Sequence, residues 1–161
     1  MDKVQGRVLL VTGGGRGIGA ATARLAARQG WAVAVNYTAN SLAADEVVRA
    51  IRAEGGTAMS VQADVAQEDQ VMAMLARIDA KLGRLQGLVN NAGVVDVTAR
   101  VDEMSVARWR RMFDINVIGS MLCAREAVRR MSTRHGGEGG SIVNVSSAAS
   151  RLGSAGQYVD Y

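Results

Sequence analysis

The chain has 161 residues, 48% of them hydrophobic and 21% charged, with a formal net charge of +4. That length buries a substantial core in a single domain, no apolar run reaches the roughly 20 residues that cross a bilayer, and residues 1–6 (MDKVQG) do not resemble a signal peptide. A lone Cys123 excludes an internal disulfide framework and suits a reducing cytoplasm, while basic residues gathered near one helix end (Arg125, Arg129, Arg130, Arg134) without interleaved aromatics exclude a nucleic-acid surface.

The first predicted element is a short apolar run at 8–11, as expected of a strand buried on both faces. Thr12 and glycines at 13, 14, 15, 17 and 19 follow, and an Ala-rich helix is predicted over 19–29 with a stop at Gly30. Strand, glycine turn and helix place free main-chain N–H groups and the positive end of a helix dipole before an anion. Side chains at the tight points would hold a pyrophosphate away from the backbone, so the pattern points to a dinucleotide.

A second buried strand is predicted over 31–37 (WAVAVNY). Asn40 or Ser41 can cap a helix to Glu54, with Ala44, Val47, Val48 and Ile51 on one face. A third strand is expected over 57–63, ending at Asp64, and a helix over 68–82 with Val71, Leu75, Ile78 and Leu82 on one stripe. Met72 and Met74 are read as packing beside that stripe, and Cys123 as a core residue. A fourth strand over 85–89 runs into Asn90-Asn91-Ala92-Gly93. After a short helix near 101–104, Ser105 offers an N-cap for a long helix to about Met131. GGEGG at 136–140 is a loop, a fifth strand covers 141–146, and His135 before that loop is read as exposed and non-catalytic. Strands alternating with helices at this spacing imply an α/β fold with a doubly wound parallel sheet, whose ligands bind beyond the carboxyl ends of the strands.

The glycine turn Thr12-Gly13-x-x-x-Gly17-x-Gly19, the NNAG at 90–93 and a serine followed by a tyrosine resemble the short-chain dehydrogenase/reductase family, over essentially residues 7–161. The resemblance implies a Rossmann fold lacking the family's last strands and helices, and a chain that is the N-terminal part of one of roughly 250 residues. It implies that Gly13, Gly17 and Gly19 admit the cofactor pyrophosphate, with Gly15 and Ile18 in the same turn. Thr12 and Asn90–Gly93, including Ala92, would brace the sheet around the cofactor. Asp64, with Val65 after it, would meet the adenine, and Asn90 the adenosine ribose.

An acid at the end of the second strand would bind a ribose 2′-hydroxyl and repel a 2′-phosphate. Asn36 stands there, followed by Tyr37, and no carboxylate occurs until Asp45. Arg16 is a fixed cation inside the glycine turn. Together they favour NADP over NAD, with NAD still possible.

The resemblance implies chemistry at Asn116, Ser147 and Tyr161. Ser147 would orient a carbonyl, Asn116 would hold a relay water, and Tyr161 would exchange the proton, while strand alternation turns Ser146 into the fold. Tyr161 is 14 positions beyond Ser147, one more than the commonest family interval, and Tyr158 is the rival at 11. Tyrosine, with a pKa of about 10, needs a nearby cation to act as a base. The family lysine four residues further on would fall beyond Tyr161. The expected function is therefore an NADP(H)-dependent oxidoreductase acting on a small carbonyl or secondary alcohol, resembling the sugar-dehydrogenase and 3-oxoacyl-carrier-protein-reductase side of the family. The alternative is a non-catalytic NADP(H)-binding or interaction module. No metal site is expected, and the resemblance implies a homo-oligomer, dimer or tetramer, packed through the long helix.

Overall fold

The computed structural model describes residues 6–156. Five parallel strands form one sheet in the order β3-β2-β1-β4-β5, with β1 at Val8–Val11, β2 at Ala32–Tyr37, β3 at Ala58–Gln62, β4 at Leu85–Asn90 and β5 at Ser141–Asn144. β1 pairs with β2 on one side and β4 on the other. The chain therefore reverses its direction of travel across the sheet beside β1. That reversal opens a crevice at the carboxyl ends of the strands.

Helices α1 (Gly17–Arg28) and α2 (Ser41–Ala53) cover one face, and α3 (Glu68–Lys81) and α5 (Gly119–Met131) the other. Period-two alternation divides the strand residues between two cores. Val11, Val33 and Val35 pack with Ala23 and Ala27 of α1 and with Val47 and Ile51 of α2. Leu10, Leu88 and Val61 pack with Leu75 and Ile78 of α3 and with Cys123, Ala127 and Met131 of α5. The alanines of α1 let its axis approach the sheet closely. Each Leu, Ile or Val fully withdrawn from water contributes about 1.5–3 kcal/mol. Met74 joins the second core, whereas Met72, expected as packing, is 48% exposed because it lies outside the α3 stripe.

Asn40 caps α2 by accepting from the Ala43 N–H, and Ser105 caps α4 (Val106–Phe113) by accepting from the Arg108 N–H. The predicted long helix is continuous, but residues Asp114–Ile118 widen into a π turn between α4 and α5. The short helix predicted near 101–104 is a single 3-10 turn, Val101–Glu103. Arg84 fastens the glycine loop before β5, its guanidinium donating to the carbonyls of Arg130, His135 and Gly136. His135 itself is exposed.

The fifth strand is shorter than predicted, ending at Asn144, and it is the least covered of the five. Ser146 is exposed, which corrects the expectation that it turns into the fold. Alternation fixes which side a residue faces, but burial also requires an element on that side, and β5 is one of the two outer strands of the sheet among the described residues. The chain ends its described course with a one-turn helix, α6 (Ala149–Leu152).

Candidate functional site

A cleft of about 590 Å3 opens where β1, β2 and β4 end. Its floor is the turn between β1 and α1. Gly13 and Gly17 have φ of +61° and +54°, values that L side chains rarely adopt. A Cβ on Gly17 would project into open space, the space a ligand needs. Gly19 lies behind the turn, where a Cβ would come within 2.7 Å of the Gly13 carbonyl oxygen and 2.5 Å of Asn91 Nδ2. The helix begins at Gly17 with no side-chain cap from Arg16. First-turn amides have no partner inside a helix, so those of α1 face the cleft as donors. Main-chain donors, a helix N-terminus and room for backbone approach together suit a diphosphate.

Three polar residues, Thr12 and Asn36 buried and Asn91 half-buried, hold this turn in place. Thr12 Oγ1 donates to the Val89 carbonyl and accepts from the amides of Asn91 and Ala92, both at 3.0 Å. Asn91, which sequence reasoning grouped with its neighbours and assigned no bond, donates its Nδ2 to the carbonyls of Thr12 and Gly13. Asn36 accepts from the Gly13 N–H at 3.1 Å and donates to the Ala63 carbonyl at 3.0 Å. Its carboxamide is 1% exposed and already bonded, so it shapes the glycine turn and presents no free group to a ribose.

Of the residues expected to bind a cofactor, Gly13, Gly15, Arg16, Gly17, Ile18, Asn36, Tyr37, Asp64, Val65, Ala92 and Gly93 line the cleft. Thr12 and Gly19 stand behind its wall. Asn90, expected beside the adenosine ribose, is not among the residues that line it. As the last residue of β4 it turns to the α5 side, donating Nδ2 to the Ser120 carbonyl and to Asn144 Oδ1. Asp64 lines the cleft while one carboxylate oxygen accepts from the Ala66 N–H, so it also shapes the turn after β3. Arg111 and Ile115 complete the wall from the long helix, and no local pattern marked them, because they arrive from far along the chain. Arg111 pairs with Asp96 at 3.4 Å.

Asn116 lies in the π turn. Its Oδ1 accepts from the Val94 N–H and its Nδ2 donates to the Val94 carbonyl, both at 2.9 Å. A mid-helix asparagine thus clamps the segment after β4 through one bond from each end of its carboxamide. Ser147 is half-buried and its Oγ accepts from the Ala149 N–H at 3.1 Å, a local turn at the start of α6. Tyr158 and Tyr161 lie outside the described residues. Cys123 is buried on α5, and burial pushes its thiol up to about 12, as befits an inert core residue. Among the described residues no group of three or more His, Cys, Asp or Glu side chains could hold a metal, and no helix is long and apolar enough to cross a membrane.

Comparison with known proteins gives a consistent result. A family model described as short chain dehydrogenase matches residues 7–159. The chain is 53% identical over 154 residues to the uncharacterized oxidoreductase YgfF of Escherichia coli (strain K12), covering 96% of this chain and 62% of that protein. It is 40% identical over 157 residues to a 3-oxoacyl-[acyl-carrier-protein] reductase of Synechocystis, covering 98% and 62% of the two chains. A solved structure, that of a doubly substituted short-chain dehydrogenase/reductase from Serratia marcescens, superposes with a TM-score of 0.85 at 33% identity, over 96% of this chain and 61% of that one. The chain thus spans about three-fifths of the length of each of these three relatives.

Proposed function

This chain belongs to the short chain dehydrogenase family, and on that premise we propose that it serves an NADP(H)-dependent oxidoreductase acting on a small carbonyl compound or secondary alcohol. The observation that carries the cofactor preference is the β2 end of the cleft. Tyr37, Thr38 and Asn40 line it without a carboxylate, and the Arg16 cation enters the same cleft from the glycine turn. The first carboxylate in the sequence after β2, Asp45, accepts from Ser60 Oγ and faces a different cleft. Nothing acidic therefore opposes a 2′-phosphate there, and Arg16 can pair with it.

The glycine turn and the N-terminus of α1 would hold the pyrophosphate, with Asp64 and Val65 beside the adenine. When bound, the nicotinamide supplies the chemistry of taking or returning a hydride. Ser147 Oγ would donate a hydrogen bond to the substrate oxygen, and Tyr161 would exchange a proton with that oxygen. Asn116 would act as a positioning residue, fixing the Val94 main chain in the cleft wall. A homo-oligomer, dimer or tetramer, is proposed through the long helix. Phe113, Val117, Met121 and Val128 form an exposed apolar stripe along it, with Met121 67% exposed. Such a stripe is the kind of surface a second copy covers. A cytoplasmic setting accords with the single buried thiol.

Titration of NADPH and NADH against tryptophan fluorescence tests the cofactor reading. NADPH is expected to bind more tightly, and R16A to weaken NADPH by about tenfold while changing NADH by less than about twofold. Tighter binding of NADH would overturn the preference. Binding of NADPH with no turnover across a panel of ketones and secondary alcohols would favour the non-catalytic reading. Light scattering tests the oligomer, with M121E expected to lower the molar mass.

A further inference from the structure

We propose that the cleft along the outer edge of β3 binds a multiply charged phosphate compound, at a site separate from the glycine turn. This cleft, about 800 Å3, lies between α2 and α3 beside the first residues of β3. Arg49 and Arg52 reach it from α2, Arg77 and Lys81 from α3, against the single carboxylate of Asp45. Two of these groups are committed. Arg52 donates Nε and Nη2 to the Ala58 carbonyl at 3.0 and 2.8 Å, and Asp45 accepts from Ser60 Oγ at 2.6 Å. Arg49, Arg77 and Lys81 have no hydrogen bond or ion pair among the described residues.

Helix dipoles account for part of this charge, since Arg52 and Lys81 occupy the last turns of their helices. They do not account for Arg49 and Arg77, which stand about a turn earlier. Arg77 and Lys81 are also like charges at i,i+4, an arrangement that weakens a helix. The contrast with α5 is direct. There Arg125, Arg129 and Arg130 each rest on a carboxylate. The β3 cleft gathers four cationic side chains against the one carboxylate of Asp45, and an anion seated in it would relieve the repulsion among them.

The form of the anion follows from the strand edge. β3 is an outer strand, and an extended peptide could in principle pair with it. Thr57 gives its carbonyl to Val33 in β2, so the Ala58 carbonyl turns outward, and Arg52 already occupies it. A charged side chain placed there blocks strand addition. Recognition is left to the free guanidinium and ammonium groups, which suit phosphate oxygens. Half-buried Met59 also lines the cleft and offers an apolar contact to an organic body.

Titration calorimetry with inorganic tripolyphosphate and with geranyl diphosphate tests the site, and does so independently of the cofactor preference. Salt-sensitive binding is expected, with a component that R77E/K81E reduces about tenfold and R16A leaves unchanged. Tighter binding of geranyl diphosphate would place an organic body on Met59, and equal binding would assign recognition to the phosphates alone. The neutral R77Q/K81Q variant, with its melting temperature measured alongside, separates lost binding from lost fold. Absence of binding, or binding that survives R77E/K81E and disappears with R16A, would overturn the proposal. The second result would mean that phosphate enters the glycine turn.

Discussion

The two sides of β4 are built differently. Toward β1 and β2, Thr12, Asn36 and Asn91 each tie the glycine turn to the main chain of another element, and the strands beneath them are buried. Toward β5, Val143 and Val145 are 53% and 39% exposed, and Ser147 is held by a bond to its own neighbourhood. The glycine-turn side is therefore held in place by hydrogen bonds between elements. The serine side has its backbone in register with β4 but little packed against it. A cofactor cleft needs donors and space fixed in advance, because binding gains nothing from groups that must first be ordered. A catalytic hydroxyl can sit on a lightly packed strand end and still have the right register.

Four substitutions would break or sharpen that contrast. The largest loss is expected from N36L, which leaves the Gly13 N–H and the Ala63 carbonyl without partners in a buried place. Urea denaturation should show a loss of about 3 kcal/mol, together with weakened NADPH binding. A loss below about 1 kcal/mol would mean that the glycine turn holds itself.

Next is E126Q. Burial pushes the Glu126 carboxyl up, but Arg130, Arg129 and Arg125 outweigh it and hold the group below the ordinary carboxylate range. Because the folded value lies below the unfolded one of about 4.3, the carboxylate's contribution is complete above that pH. It fades as pH falls through the folded value. E126Q should cost about 2 kcal/mol at neutral pH and flatten the acid limb of a melting-temperature profile. An unchanged profile would remove Glu126 from the acid response.

N116A should lose both bonds to Val94 and about 1–2 kcal/mol, with kcat in an active enzyme falling more than KM rises. Equal changes in both would mean that the clamp serves only stability. The smallest stability effect belongs to S147A, at most about 0.5 kcal/mol, since only one local hydrogen bond is removed. Loss of turnover with unchanged melting is expected. A large drop in stability would show that the β5 side is more tightly built than its exposure indicates.

The strands were legible because a parallel sheet covered on both faces demands continuous apolar runs, and 8–11 and 31–37 are such runs. Helix α2 was legible from its cap at Asn40 and its stripe at 44, 47, 48 and 51. The glycine turn was legible because glycine readily accepts the φ values it needs at 13 and 17, which L side chains rarely adopt. Other features were not. The π turn at Asp114–Ile118 leaves the amphipathic pattern almost unchanged, so nothing in the spacing marked it. Asn90 and Asn91 are adjacent and chemically alike, and only the direction in which β4 ends shows that Asn91 holds the turn while Asn90 faces α5.

The amino-acid order alone determined the alternation of strands and helices, the glycine bend and the absence of an acid at the end of β2. These are local, written in periodicity, steric demand and charge along a few residues. Tertiary structure decided which polar groups remain free. Asn36 bonds to Gly13 and Ala63 and Asn116 to Val94, whereas Arg49, Arg77 and Lys81 have no hydrogen bond or ion pair among the described residues. Whether a donor is available depends on what the fold brings within about 3 Å of it, and the partners of both asparagines come from 22 to 27 residues away.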